Sequence, residues 1–254
     1  MVRLRSRIRP AISSLRWEAL PTHGAGVTNP ARHGLPATIV FDLDGTLVDT
    51  APDLCASLNH ALAVLGRPGV PAADVRHMVG HGARKLLERG LAASGETSPD
   101  LVEAGMPAFL AYYGAHIADG SRPFAGVEAA LDALTAAGCR LAICTNKPVR
   151  LSAALVTALG WDGRFAANLG FDSVAAPKPH PDHLFATIAA AGGDRADTIF
   201  VGDSITDTNT ARAAAIPVVA VSFGFSDRPA ADLGADLVID HYDALLPALR
   251  QLRR

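Results

Sequence analysis

The stretch Ile39-Val40-Phe41-Asp42-Leu43-Asp44-Gly45-Thr46-Leu47-Val48-Asp49 decides the fold. An apolar run leads directly into two aspartates two residues apart. Alternation along an extended chain puts both carboxylates on one side. A strand interior does not tolerate such a pair, so the strand is expected to end near Phe41. Gly45 then lets the backbone turn sharply. The expectation is a carboxylate cluster on a loop at the carboxyl end of a strand, where open α/β sheets bind ligands. Taken alone, these residues also describe an ordinary polar turn.

Downstream the period changes. Pro52 to Leu65 carries Leu54, Leu58, Leu62 and Leu65 on one helical face. Residues 71–79, 83–93 and 99–117 are further helical candidates, and no strand-like run lies between residues 50 and 120. From Val127 short apolar strands alternate with helices: strands at 140–144, 166–170, 198–201, 217–221 and 236–239, helices at 127–137, 147–159, 181–191, 206–215 and 242–252. That rhythm predicts βαβ units and an α/β fold, a doubly wound parallel sheet covered on both faces. Residues 37–49 and 121–254 would form the sheet domain, and 50–120 an α-helical insert after its first strand.

Four of the predicted strands lead into polar residues. The first gives Asp42 and Asp44, the second Thr145-Asn146-Lys147, the third Pro177-Lys178-Pro179, and the fourth Gly202-Asp203-Ser204-Ile205-Thr206-Asp207. Parallel strands place all their carboxyl ends on one edge, so these residues converge. Four carboxylates, a hydroxyl before a helix N-terminus, and one lysine, Lys178, then share a site. A hard divalent cation takes oxygen ligands, and Mg²⁺ is held by one or two carboxylates; Asp42 and Asp203 suit that role. Lys178, the Thr145 hydroxyl and helix-start amides would compensate a phosphate. A carboxylate can attack phosphorus, and a neighbouring one such as Asp44 can move the protons. Judged singly, Thr145-Asn146 is a helix cap, Lys178 a solvated lysine, and Gly202-Asp203 a turn.

The totals set limits. The chain has 254 residues, 49% hydrophobic and 19% charged, with a net charge of −2. That is enough to bury a sizeable core and argues against nucleic acid as a partner. Residues 1–36 carry six of the 23 Lys and Arg residues and one acid, Glu18. They read as an extension outside the fold: a disordered tail, an early start codon or an organelle transit peptide. Cys55, Cys139 and Cys144 lack metal-type spacing and suggest a cytoplasmic protein with reduced core thiols. No apolar run reaches membrane-spanning length.

The chain resembles the phosphatases of the haloacid dehalogenase-like superfamily. Asp42-Leu43-Asp44-Gly45-Thr46 matches that superfamily's first motif, Thr145-Asn146 its second, Lys178 its third and Gly202 to Asp207 its fourth. The resemblance spans roughly residues 37–250. It implies Asp42 as nucleophile and Asp44 as acid/base. It also implies Mg²⁺ held by the Asp42 side chain, the Asp44 carbonyl and the Asp203 side chain, with Asp207 acting indirectly. The helical insert would be a mobile cap.

Within the superfamily the chain is most similar to phosphoglycolate phosphatases. Val79-Gly80-His81-Gly82-Ala83-Arg84-Lys85-Leu86-Leu87 resembles their cap segment, although Ala215 stands where glycine is usual. The implied reaction is Mg²⁺-dependent hydrolysis of a small phosphomonoester such as 2-phosphoglycolate, through an aspartyl phosphate, by a monomer or homodimer. Alternatives are a sugar-phosphate phosphatase or mutase, a phosphonatase using Lys85, and a receiver-like module that accepts phosphate without turnover.

Overall fold

The computed structural model describes residues 33–253, His77 and His81 excepted. At its centre is strand β1, Thr38–Phe41, buried along its whole length. It ends at Phe41, so Asp42 and Asp44 lie beyond it, as their charge requires. On one side β1 pairs in parallel with β4, Arg140–Cys144. On the other it pairs in parallel with β6, Thr198–Gly202. Adding β5 (Ala167–Leu169), β7 (Val218–Val221) and β8 (Leu237–Ile239) completes a six-stranded sheet in the order β5-β4-β1-β6-β7-β8.

Alternation along these strands divides the core into two layers. Ile39, Phe41, Leu141, Ile143, Ile199 and Val201 face one side, against α5 (Val127–Ala136) and α9 (Leu245–Leu252). Val40, Ala142, Cys144 and Phe200 face the other, against α7 (Pro181–Ala190) and α8 (Ile205–Ala213). Helix α6, Val149–Ala158, adds Leu155 to the first layer. Burial of both faces explains why the strands read as continuous apolar runs.

Between the first and second sheet strands the chain leaves as β2, Val48–Asp49, and returns as β3, Arg122–Pro123. These two pair antiparallel, Val48 opposite Pro123 and Asp49 opposite Arg122. The intervening helices are α1 (Ala51–Val64), α2 (Ala72–Arg76), α3 (Ala83–Ala93) and α4 (Pro99–Ala115). Their leucines form a separate core with Val102, Phe109 and Tyr113, joined from the sheet side by Leu151 and Phe225. The Asp53 carboxylate closes the neck of this insert. It accepts from the backbone N–H groups of Gly120 (2.8 Å) and Ser121 (2.7 Å).

Sequence and structure part in several places. The β2–β3 ribbon was not expected, being two residues a side. The helix anticipated over 71–79 covers only Ala72–Arg76. The closing helix begins as a 3₁₀ turn, Tyr242–Ala244. Helix α6 begins at Val149 rather than Lys147. Packing also starts earlier than expected: Leu35 is 1% exposed and belongs to the core. The rest of the expected N-terminal extension, residues 1–32, lies outside the described residues.

Candidate active site

The turn after β1 is shaped by backbone bonds and one glycine. Leu47 and Val48 donate their N–H groups to the Leu43 carbonyl, and Gly45 donates to Val48. Gly45 has φ +84°, and a Cβ there would stand 2.3 Å from Asp203 Oδ2. Only glycine meets both demands. Through this approach β1 and β6 bring Asp42 and Asp203 together.

Asp42, Asp203 and Asp207 each offer an oxygen within 4.8 Å of the others. Lys178 Nζ stands 3.0 Å from Asp42 Oδ1 and 2.6 Å from Asp207 Oδ1. Burial works against the Lys178 charge, but Asp207 and Asp42 outweigh it and raise its pKa. Burial pushes the Asp42 carboxyl up to about 6, against the pull of Lys178 and with the repulsion of Asp207 and Asp44. Asp203 is held well above the usual carboxylate range by burial, then by Asp207 and Asp42. Cys144, at the end of β4, is pushed up to about 12 by burial and stays an inert thiol.

The chemistry of the donors fits a divalent cation. Asp207 is the most heavily bonded: Oδ2 accepts from the Ser204 hydroxyl (2.6 Å) and the Ser204 N–H (3.1 Å), and Oδ1 from Lys178. Asp203 accepts from the Phe225 N–H at 2.7 Å and from Thr46 Oγ1 at 3.3 Å. Asp42 Oδ1 has the Lys178 ammonium at 3.0 Å, yet no donor meets it with hydrogen-bond geometry. Asp42 and Asp203 therefore retain the capacity to ligate, while Asp207 holds Lys178 and the start of α8. All carboxylates ionised, Asp42, Asp44, Asp203 and Asp207 exceed Lys147 and Lys178 by two charges. A phosphate would be repelled unless a cation balanced them.

Thr145 and Asn146 leave the end of β4 for the same edge. Thr145 Oγ1 accepts from the Lys147 N–H at 3.2 Å. Asn146 Nδ2 donates to the Lys178 carbonyl at 2.9 Å and so braces the lysine loop. His183 braces the same loop from α7. Its Nδ1 accepts from the Lys178 N–H (3.3 Å), and Nε2 lies 3.2 Å from the Leu169 carbonyl.

The site holds a second lysine, where one was expected. Lys147 Nζ lies 2.7 Å and 3.1 Å from the two oxygens of Asp44 and also reaches the Tyr113 hydroxyl of α4. Its signal was the following Pro148, since a residue before proline is pushed out of the helical region. Asp42, Asp44, Thr145, Asn146, Lys147 and Tyr113 line one cavity of about 50 Å³, roofed by Val79, Leu86 and Phe109 of the insert. Lys85 is not there: it is half exposed and pairs with Glu88 at 2.8 Å, which removes support from a Schiff-base lysine.

The model of the haloacid dehalogenase-like hydrolases matches residues 39–221. The chain belongs to this family. Within this hydrolase family its relatives include phosphoglycolate phosphatases of Caulobacter vibrioides and Mesorhizobium japonicum, each 49% identical. They cover 81% and 84% of this chain and 87% and 94% of their own lengths. Among solved structures, a predicted phosphoglycolate phosphatase from Haemophilus somnus is similar with a TM-score of 0.78 at 33% identity. It covers 84% of this chain and 97% of that one. CbbY from Rhodobacter sphaeroides, solved with phosphate, shares the fold at TM-score 0.70 and 22% identity, over 83% and 96% of the two chains.

Proposed function

We propose that this hydrolase is a phosphatase of small phosphomonoesters, with 2-phosphoglycolate as substrate, and that Mg²⁺ is its cation. The observation that carries the reading is one cavity with two carboxylates in different company. Asp42 faces Lys178 and the Asp203 cluster, while Asp44 faces Lys147. The names of the 49%-identical relatives support the substrate.

In this reading an Asp42 oxygen attacks phosphorus, and the bond from phosphorus to the ester oxygen breaks. Asp44 gives its proton to the departing alkoxide. Asp44 then takes a proton from water, whose oxygen attacks phosphorus and displaces the Asp42 carboxylate as phosphate forms. Lys178, the Thr145 hydroxyl and Asn146 hold the phosphoryl oxygens. Asp42, the Asp44 main-chain carbonyl and Asp203 would hold the Mg²⁺, which supplies positive charge to the transferring group. The helices of the insert form a cap that keeps water from the cavity. The free, buried cysteines are in keeping with a cytoplasmic location. No described helix is long and apolar enough to cross a membrane.

The test separates the aspartates. With p-nitrophenyl phosphate, Asp44→Asn releases p-nitrophenol once and stalls with a phosphoryl group on Asp42, seen as a mass shift and mapped by peptide. Asp42→Asn never takes up phosphate. A phosphoryl group on Thr145 or Ser204, or steady turnover by Asp42→Asn, would overturn the assignment.

A further inference from the structure

We propose that Lys147 and Tyr113 are the specificity-determining pair of this site, together binding a second anionic group, a carboxylate, on the carbon next to the phosphate ester. This rests on the phosphatase reading above.

Lys147 is the one cationic side chain among the described residues lining the cavity. Lys178 cannot serve a second anion, since it is enclosed between Asp42 and Asp207 and stands outside that wall. The Lys147 ammonium is buried, its side chain 3% exposed, and two of its three protons are engaged by Asp44. The third points at the Tyr113 hydroxyl. Tyr113 is 1% exposed and its hydroxyl accepts from Lys147, but its own proton meets no acceptor among the described residues. Burial, then Asp44 and Asp53, raises the Tyr113 pKa, so the phenol keeps that proton. A buried hydroxyl with an unused donor, beside a buried ammonium, calls for an acceptor bearing negative charge.

A carboxylate entering the cavity meets both needs. It takes the third ammonium proton and the phenol proton, and Tyr113 turns from acceptor to donor. The roof side chains Val79, Leu86 and Phe109 are apolar and offer no such partner, and Thr145 and Asn146 lie on the side of the phosphoryl group in the reading above. A neutral hydroxyl tail can accept one of these protons but lacks the charge that would pair with the ammonium. Tyr113 belongs to the insert and Lys147 to the sheet domain, so the second anion also ties the two together.

The test compares 2-phosphoglycolate with its neutral-tailed counterpart, 2-hydroxyethyl phosphate, in the full-length protein with Mg²⁺. Wild type prefers phosphoglycolate in kcat/KM. In Lys147→Met that preference falls by about ten- to a hundredfold, the range expected for a charged hydrogen bond. Tyr113→Phe leaves the Asp44–Lys147 pair intact. It raises KM for phosphoglycolate by about fivefold or more, with the KM for hydroxyethyl phosphate following far less. Lys147→Arg restores part of the preference lost in Lys147→Met. Equal losses on both esters in Lys147→Met and Tyr113→Phe would make the pair structural and overturn the proposal. Unchanged preference in both variants overturns it as well. Wild type that cleaves both esters without preference overturns this inference alone. Wild type that cleaves no phosphomonoester overturns the phosphatase reading, and this inference falls with it.

Discussion

Ala215 stands just past the end of α8 with φ +53°, a conformation that strains any residue carrying a Cβ. It is the position where the resemblance leads one to expect glycine. Ala215→Gly is therefore expected to stabilise the protein by about 1 kcal/mol, read as a higher urea midpoint. A lower midpoint would show that this turn is not strained. His183 supplies a second residue-scale expectation. Burial, then Lys178, lowers its pKa to about 4. The unfolded chain takes the proton first, so stability is full above about pH 6.5 and drains away as pH falls toward 4. His183→Asn keeps an acceptor for the Lys178 N–H without titrating. Its midpoint should fall less than that of wild type between pH 7 and 4.5, and parallel curves would refute the assignment. Asp42, Asp44 and Asp203 were legible because each follows an apolar run, and Lys178 through the motif it matches. Lys147 was not, because its partner Asp44 lies 103 positions away in sequence. A lysine near a helix start reads as solvated.

Among the elements, long periodic ones were readable and short ones were not. Helix α3, Ala83–Ala93, and strand β4, Arg140–Cys144, fall where the pattern puts them. The β2–β3 ribbon has no period to detect, since two residues carry no alternation. Its stability depends on the Asp53 carboxylate, which joins the start of α1 to the backbone at Gly120 and Ser121. Asp53→Ala leaves the buried Ser121 N–H and the part-buried Gly120 N–H without that acceptor and is expected to cost about 2–4 kcal/mol. Proteolysis near residues 119–122 should then rise well above wild type. An unaltered digestion pattern would show that the ribbon holds by itself.

For the whole molecule, the order β5-β4-β1-β6-β7-β8 could not be read from runs of apolar residues, because pairing partners are far apart in sequence. What could be read was the convergence of strand ends, which needs only that the strands be parallel. The acidic centre sets stability against function. Removing one buried carboxylate by Asp203→Asn relieves repulsion, so the metal-free protein should gain about 1–2 kcal/mol. The same variant should lose the rise in melting temperature that Mg²⁺ is expected to give wild type, a rise worth about 2.7 kcal/mol at a hundredfold excess over Kd. Equal Mg²⁺ responses in the two proteins would remove Asp203 from the ligand set. At the N-terminus, deleting residues 1–32 should leave turnover intact. Extending the deletion through Leu35 empties a buried site and should cost about 2–5 kcal/mol.

The ribbon between Asp49 and Arg122 brings the two ends of the insert to adjacent positions. To the sheet, the insert is a plug-in with neighbouring termini. A different helical segment with equally close ends could be spliced at that socket while all four polar strand ends stay in place. The roof of the cavity, and with it the choice of tail, would then be exchanged as a cassette.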